Sequence, residues 1–108
     1  MRTIHSVDDL QAEMESSSGL LVVVVFLGNS VDRYREEELL KELEVNYRNR
    51  IRFVKVSSVA KDIWDEFHIT GKPVYLFFHH GILIERTLGR LDPKNVAHII
   101  ETLDERAE

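Results

Sequence analysis

The 108-residue chain contains no cysteine. No disulfide can staple it and no thiolate can attack a substrate, so the fold must rest on a packed apolar core. Proline is scarce as well, with only Pro73 and Pro93, which leaves long helices free to run unbroken. No apolar run approaches the roughly 20 residues that cross a bilayer, and the longest, Leu20 to Leu27, has the length of a buried strand. The amino terminus lacks the basic, apolar, small-residue order of a secretory leader, so the cytoplasm is the expected compartment. Positive charge is in deficit: 14 Lys and Arg against 19 Asp and Glu leave a net charge of -5. That balance argues against a nucleic-acid surface, which would need a basic stripe.

What is present is a globular composition, 44% apolar and 31% charged, suited to a single domain over residues 1–108. Short apolar runs alternate with amphipathic stretches, a pattern that forces parallel pairing through crossover helices and sets the class as α/β. Ser6-Val7-Asp8-Asp9 reads as a capped helix start, with Asp9 placed for the reciprocal contact. Val7, Leu10 and Met14 share one face, and Ser16-Ser17-Ser18-Gly19 ends the pattern in a solvated loop with a left-handed glycine. Leu20 to Leu27 includes four consecutive valines, apolar on both faces, and is expected at the middle of the sheet.

A long second helix from about Asp32 is expected to bury Tyr34, Leu40, Leu43 and Tyr47 and to turn Glu37, Lys41 and Glu44 toward water. Glu36-Glu37-Glu38 suits the positive end of its dipole, and Arg48, Arg50 and Arg52 the negative end. Ile51 to Ser57 reads as a strand, and Ala60 to His68 as a short helix with Ile63, Trp64 and Phe67 on its apolar side. Val74 to Phe78 and Ile82 to Leu88 flank His79-His80-Gly81, a link short enough to require an antiparallel hairpin. Asp92 and Pro93 open a last helix whose buried stripe is Val96, Ile99, Ile100 and Leu103, and Asp104 to Glu108 is expected to fray. The element order is β-α-β-α-β-α-β-β-α.

This order, with Lys72-Pro73 opening the fourth strand, resembles the thioredoxin family over nearly the whole chain. Val24-Val25-Phe26-Leu27-Gly28 matches the family's Val-Asp-Phe-Trp-Ala strand end, and Phe67-His68-Ile69-Thr70-Gly71-Lys72-Pro73-Val74 is similar to its Tyr-Gly-Ile-Arg-Gly-Ile-Pro-Thr segment. His80-Gly81 and Leu88-Gly89 match its two later glycines. The resemblance implies a thioredoxin fold, a central mixed sheet flanked by helices on both faces, and a cis bond at Lys72-Pro73. It also places Val31 and Tyr34 where the family's two reactive cysteines stand, with Asp32 and Arg33 between, Val25 in place of a buried Asp and Ser30 in place of a Trp. Neither a valine methyl nor a phenol can carry out thiol exchange. Loss of the buried Asp together with both sulfurs reads as a natural redox-inactive relative, since an uncompensated buried carboxylate is destabilising.

The expectation is therefore a non-enzyme without cofactor that binds a protein or extended peptide in the groove the resemblance implies. Its candidate residues are Ser30, Val31, Asp32, Arg33, Tyr34, Lys72, Pro73, Gly89 and Arg90. Arg and Tyr are favoured interface anchors, and backbone beside Pro73 could pair with an extended segment. Against this, Arg33 and Arg90 can be plain solvated charges, and Tyr34 taken alone reads as packed under its loop. Metal binding is disfavoured because His79 and His80, adjacent on an extended chain, would point apart, and His68 and His98 lack helix-spaced partners. The alternatives are a structural subunit or self-associating scaffold, as a weak homodimer through Ile82 to Leu88, or an accessory to a cysteine-bearing redox partner. Neither a membrane nor a nucleic acid is expected as partner.

Overall fold

The structure, a computed structural model, describes residues 1–17, 19–27, 33–71 and 73–106. Expectations that fall on Ser18, Gly28, Ser30, Val31, Asp32, Lys72 and residues 107–108 lie outside that set. In chain order the elements are β1 (Arg2–Ile4), α1 (Val7–Ser16), β2 (Leu21–Phe26), α2 (Arg33–Asn46), β3 (Ile51–Val56), α3 (Lys61–Glu66), β4 (Val74–His79), β5 (Ile82–Leu88) and α4 (Pro93–Arg106). The strands form one sheet in the order β1-β3-β2-β4-β5. β1, β3 and β2 run parallel, while β4 is antiparallel to both β2 and β5.

β2 is central, as its unbroken apolar run requires, and all six of its residues are buried. Side chains alternate across it, so the sheet separates two cores. Leu21, Val23 and Val25 pack with Leu40 and Leu43 of α2 and Val96, Ile99 and Ile100 of α4. Val22, Val24 and Phe26 pack on the other face with Leu10 of α1 and Ile63 of α3. Phe26 meets Trp64 edge-on at 5.1 Å between ring centroids, and the Trp64 indole N–H donates to the Ser57 carbonyl at 3.0 Å.

The helix ends follow local chemistry. The Ser6 hydroxyl accepts from the Asp9 amide at 3.1 Å, while the Asp9 carboxylate reaches one residue beyond the cap and accepts from the His5 amide at 3.0 Å. The Asp92 carboxylate accepts from the Lys94 amide at 3.0 Å, and Pro93 fills the first turn of α4. α4 does not fray from Asp104: it stays helical through Arg106, with Asp104 paired to Arg50. The arginines after α2 do not gather at its carboxyl end either. Arg52, on β3, bonds the buried Glu13 of α1 at 3.3 Å, whereas Arg50, in the turn before β3, pairs with Asp104 of α4.

The α2 stripe is shifted from the expected one. Tyr34 is 71% exposed, and Glu36 is buried with Leu40 and Leu43. At about 100° per residue, positions 36, 40, 43 and 47 share a face and position 34 lies well off it. Nor do the three glutamates act as one acidic terminus. Glu36 is interior, Glu37 is mostly covered and bonds Lys55 at 2.9 Å, and only Glu38 is strongly exposed, near Lys41 at 3.7 Å.

Candidate functional site

The register places one set of loops at a single end of the sheet. Phe26 is opposite Val74 and Val74 is opposite Leu88, so the carboxyl end of β2, the start of β4 and the end of β5 adjoin. In an open sheet, the carboxyl end of the parallel strands is where crossover loops part and a ligand can be received.

Of the nine candidate residues, Arg33, Tyr34, Pro73, Gly89 and Arg90 are described, and Ser30, Val31, Asp32 and Lys72 lie outside the described residues. The Gly89 amide donates to the Pro73 carbonyl at 2.8 Å, which locks the last two loops together. Gly89 has φ of 97°, a left-handed value that favours glycine. Leu88, 72% exposed, lies against Gly71, where an added Cβ would come within 2.9 Å of Leu88 Cδ1. At the start of α2, the Arg33 guanidinium sits over the Tyr34 ring at 4.9 Å and donates to its hydroxyl at 3.1 Å. A shallow cavity of about 220 Å³ opens beside them, lined by Leu27, Arg33, Lys55, Val56 and Ser57.

Glu36 is the residue the sequence reading missed. Only 2% exposed, its carboxylate accepts from the Tyr75 hydroxyl at 2.5 Å and from the Leu91 amide at 3.3 Å. It therefore clamps the first turn of α2, the interior strand β4 and the loop after β5, three walls of the same end of the sheet. Burial, helped by the hydrogen bond and the charge of Glu36, holds the Tyr75 hydroxyl far above the usual phenol range. Tyr75 is the cross-strand neighbour of Val25. The core thus holds a carboxylate bonded to the cross-strand neighbour of Val25 and delivered from a helix. The available signal was Glu36 at four and seven residues from Leu40 and Leu43.

The histidines at the opposite end also differ from expectation. His79 and His80 do not point apart: their ring centroids are 4.1 Å apart, because the chain turns at His80, where φ is 52°. Burial and the neighbouring His80 lower the pKa of His79 from its ordinary value. Among the described residues, no three His, Asp or Glu side chains converge as metal ligands would.

No family model and no curated protein matches the chain. Solved structures do. A thioredoxin from Fasciola hepatica shares 19% identity at a TM-score of 0.82, covering 94% of this chain and 98% of that one. A thioredoxin from Nicotiana alata shares 23% at 0.78, covering 93% and 90%. An Entamoeba histolytica thioredoxin carrying a cysteine-to-serine substitution shares 26% at 0.76, covering 94% and 98%. The chain has the thioredoxin fold, and it carries no thiol with which to exchange a disulfide.

Proposed function

We propose that this cysteine-free thioredoxin fold is a non-enzymatic module that binds an extended segment of a protein partner at the carboxyl end of its parallel strands. The observation that carries the reading is the exposure of Leu88, next to the Pro73–Gly89 contact, and of Tyr34 in the first turn of α2. A soluble core has little reason to leave two large apolar side chains so open around braced loops, whereas aromatic and arginine anchors are what interfaces use. Arg33 is pre-oriented by its stack on Tyr34, which lowers the ordering cost of engaging a partner. The exposed Arg90 adds positive charge to this end of a chain whose net charge is -5. The reading takes the cytoplasm as its compartment, which fractionation of the native source would check.

The test is co-purification from the native source with the wild type and with the pair Arg33→Glu and Arg90→Glu. Partners captured by the wild type are expected to be lost with the pair; full retention would sink the proposal. An insulin-reduction assay is expected to show no turnover above buffer at any pH where the protein stays folded.

A second reading, self-association through β5, is favoured by the exposure of Ile82, Leu83, Ile84 and Leu88 on that edge strand. A bulge between Phe77 and Phe78 interrupts its register, and both its charges are engaged, Glu85 with Asn95 and Arg86 with the carbonyls of Phe67 and His68. Light scattering on the eluting protein separates the two: a monomer at tens of micromolar removes the scaffold.

A further inference from the structure

A second recess lies at the opposite end of the sheet, away from the loops just described. Leu21, His79 and Ile82 are direct neighbours across β2, β4 and β5, so they share the face covered by α4. Above them α4 contributes Ile100 and Leu103, and a cavity of about 630 Å³ remains between helix and hairpin. That volume is within the about 300–1,000 Å³ typical of small-molecule sites. The bulge has a part in it. Phe77 pairs with Glu85 and Phe78 with Leu83, which leaves Ile84 as the extra residue and turns it to the cavity wall.

The rim has the opposite character. Arg50, His79 and His80 stand at the mouth, and the acidic residue there, Asp104, is engaged by Arg50. Two imidazoles tilted by 56° with centroids 4.1 Å apart repel when both are protonated, and an anion placed between them and Arg50 would relieve that repulsion. Apolar walls, with a mouth where Arg50 and Asp104 balance and protonated imidazoles add positive charge, define one ligand class.

We propose that this cavity binds a small amphiphile, an aliphatic chain of roughly eight carbons seated against Leu21, Ile84, Ile100 and Leu103 with its anionic head at Arg50, His79 and His80. The anionic head follows from charge complementarity at the mouth, and the aliphatic body from walls that offer no polar side chain for orienting a sugar or a base. The site is independent of the partner-binding end, so each can fail without the other.

The experiment is a methyl-detected NMR titration of the full chain with octanoate, repeated with 1-octanol as the uncharged counterpart, at pH 6 and pH 8. Octanoate is expected to shift the methyl signals of Ile82, Ile84, Ile100 and Leu103 saturably and to bind about threefold or more tightly at pH 6, as imidazole protonation favours its carboxylate. Octanol is expected to bind with no pH dependence. In the double variant His79→Gln and His80→Asn, octanoate is expected to lose the pH dependence while octanol binding persists, which also reports that the cavity remains folded. Shifts that never saturate, shifts confined to Leu88, or octanol binding as tightly as octanoate at both pH values would overturn the assignment.

Discussion

A carboxylate inside a core is tolerated only while it receives hydrogen bonds, and the Glu36 Oε2 accepts two, from Tyr75 and Leu91. Tyr75→Phe removes the shorter bond and leaves a charge with the 3.3 Å amide contact. It is expected to lower unfolding free energy by about 2–4 kcal/mol, read by urea denaturation. Glu36→Gln keeps an acceptor for both donors and is expected to cost less than Tyr75→Phe; the reverse order would mean that the carboxylate is held by something other than these two bonds. The same pair sets an alkaline limit. The folded-state pKa of Tyr75 lies above its ordinary value of 10.0, so above that pH the unfolded chain releases a proton that the folded chain keeps. Stability is therefore fully present below about pH 10 and falls as pH climbs toward the folded pKa, by up to about 1.4 kcal/mol per pH unit. Tyr75→Phe is expected to flatten that limb relative to wild type, a comparison that cancels the lysines and the other tyrosines.

Between β4 and β5 the chain reverses through His80 and Gly81, with φ of 52° and 76°, the two left-handed values of a hairpin turn whose twist matches the strands. Nothing lies within 4 Å of a Cβ added at Gly81, so a substitution there meets only backbone strain. Gly81→Ala is expected to cost about 1 kcal/mol, and His80→Asn to gain a few tenths, since asparagine tolerates this conformation; unchanged denaturation midpoints for both would contradict the turn geometry. Elements of this kind were legible in advance because their signals are local. The span Ile82–Leu88, the Ser6 and Asp92 caps, and the two-faced apolar run of β2 each follow from neighbours in sequence. The rest depended on distant partners. A bulge at Ile84 exists only relative to the residues counted on β4, and Arg50 and Arg52 separate only once α4 and α1 lie on opposite faces. Glu36 looked like surface charge because Tyr75, 39 residues away, supplies its donor. At the candidate site the sequence identified loops that do adjoin, Pro73 with Gly89, but it placed Tyr34 under the surface when it stands above it.

Across the whole molecule, β2 is the shared wall of two separate cores, and both proposed sites are anchored to it, one at each end. Val23 and Val24 are adjacent and fully buried, yet Val23 packs toward α2 and α4 and Val24 toward α1 and α3. Each truncation to alanine removes two methyl groups from a closed core and is expected to cost about 1.5–3 kcal/mol. Because the two cavities would lie on opposite faces and share no packing partner, the double variant is expected to lose the sum of the two within about 0.5 kcal/mol. Both layers should still unfold in one transition, since the hydrogen-bonded sheet between them cannot be kept by either core alone. Denaturation followed by Trp64 fluorescence reports the α1 and α3 layer, and far-ultraviolet dichroism reports all the helices. Coincident midpoints with additive losses would establish one cooperative unit holding both ends in place. A Trp64 transition that departs from the dichroism in Val24→Ala would instead show a layer that melts separately, and partner binding would then have to be measured as a property of half the fold.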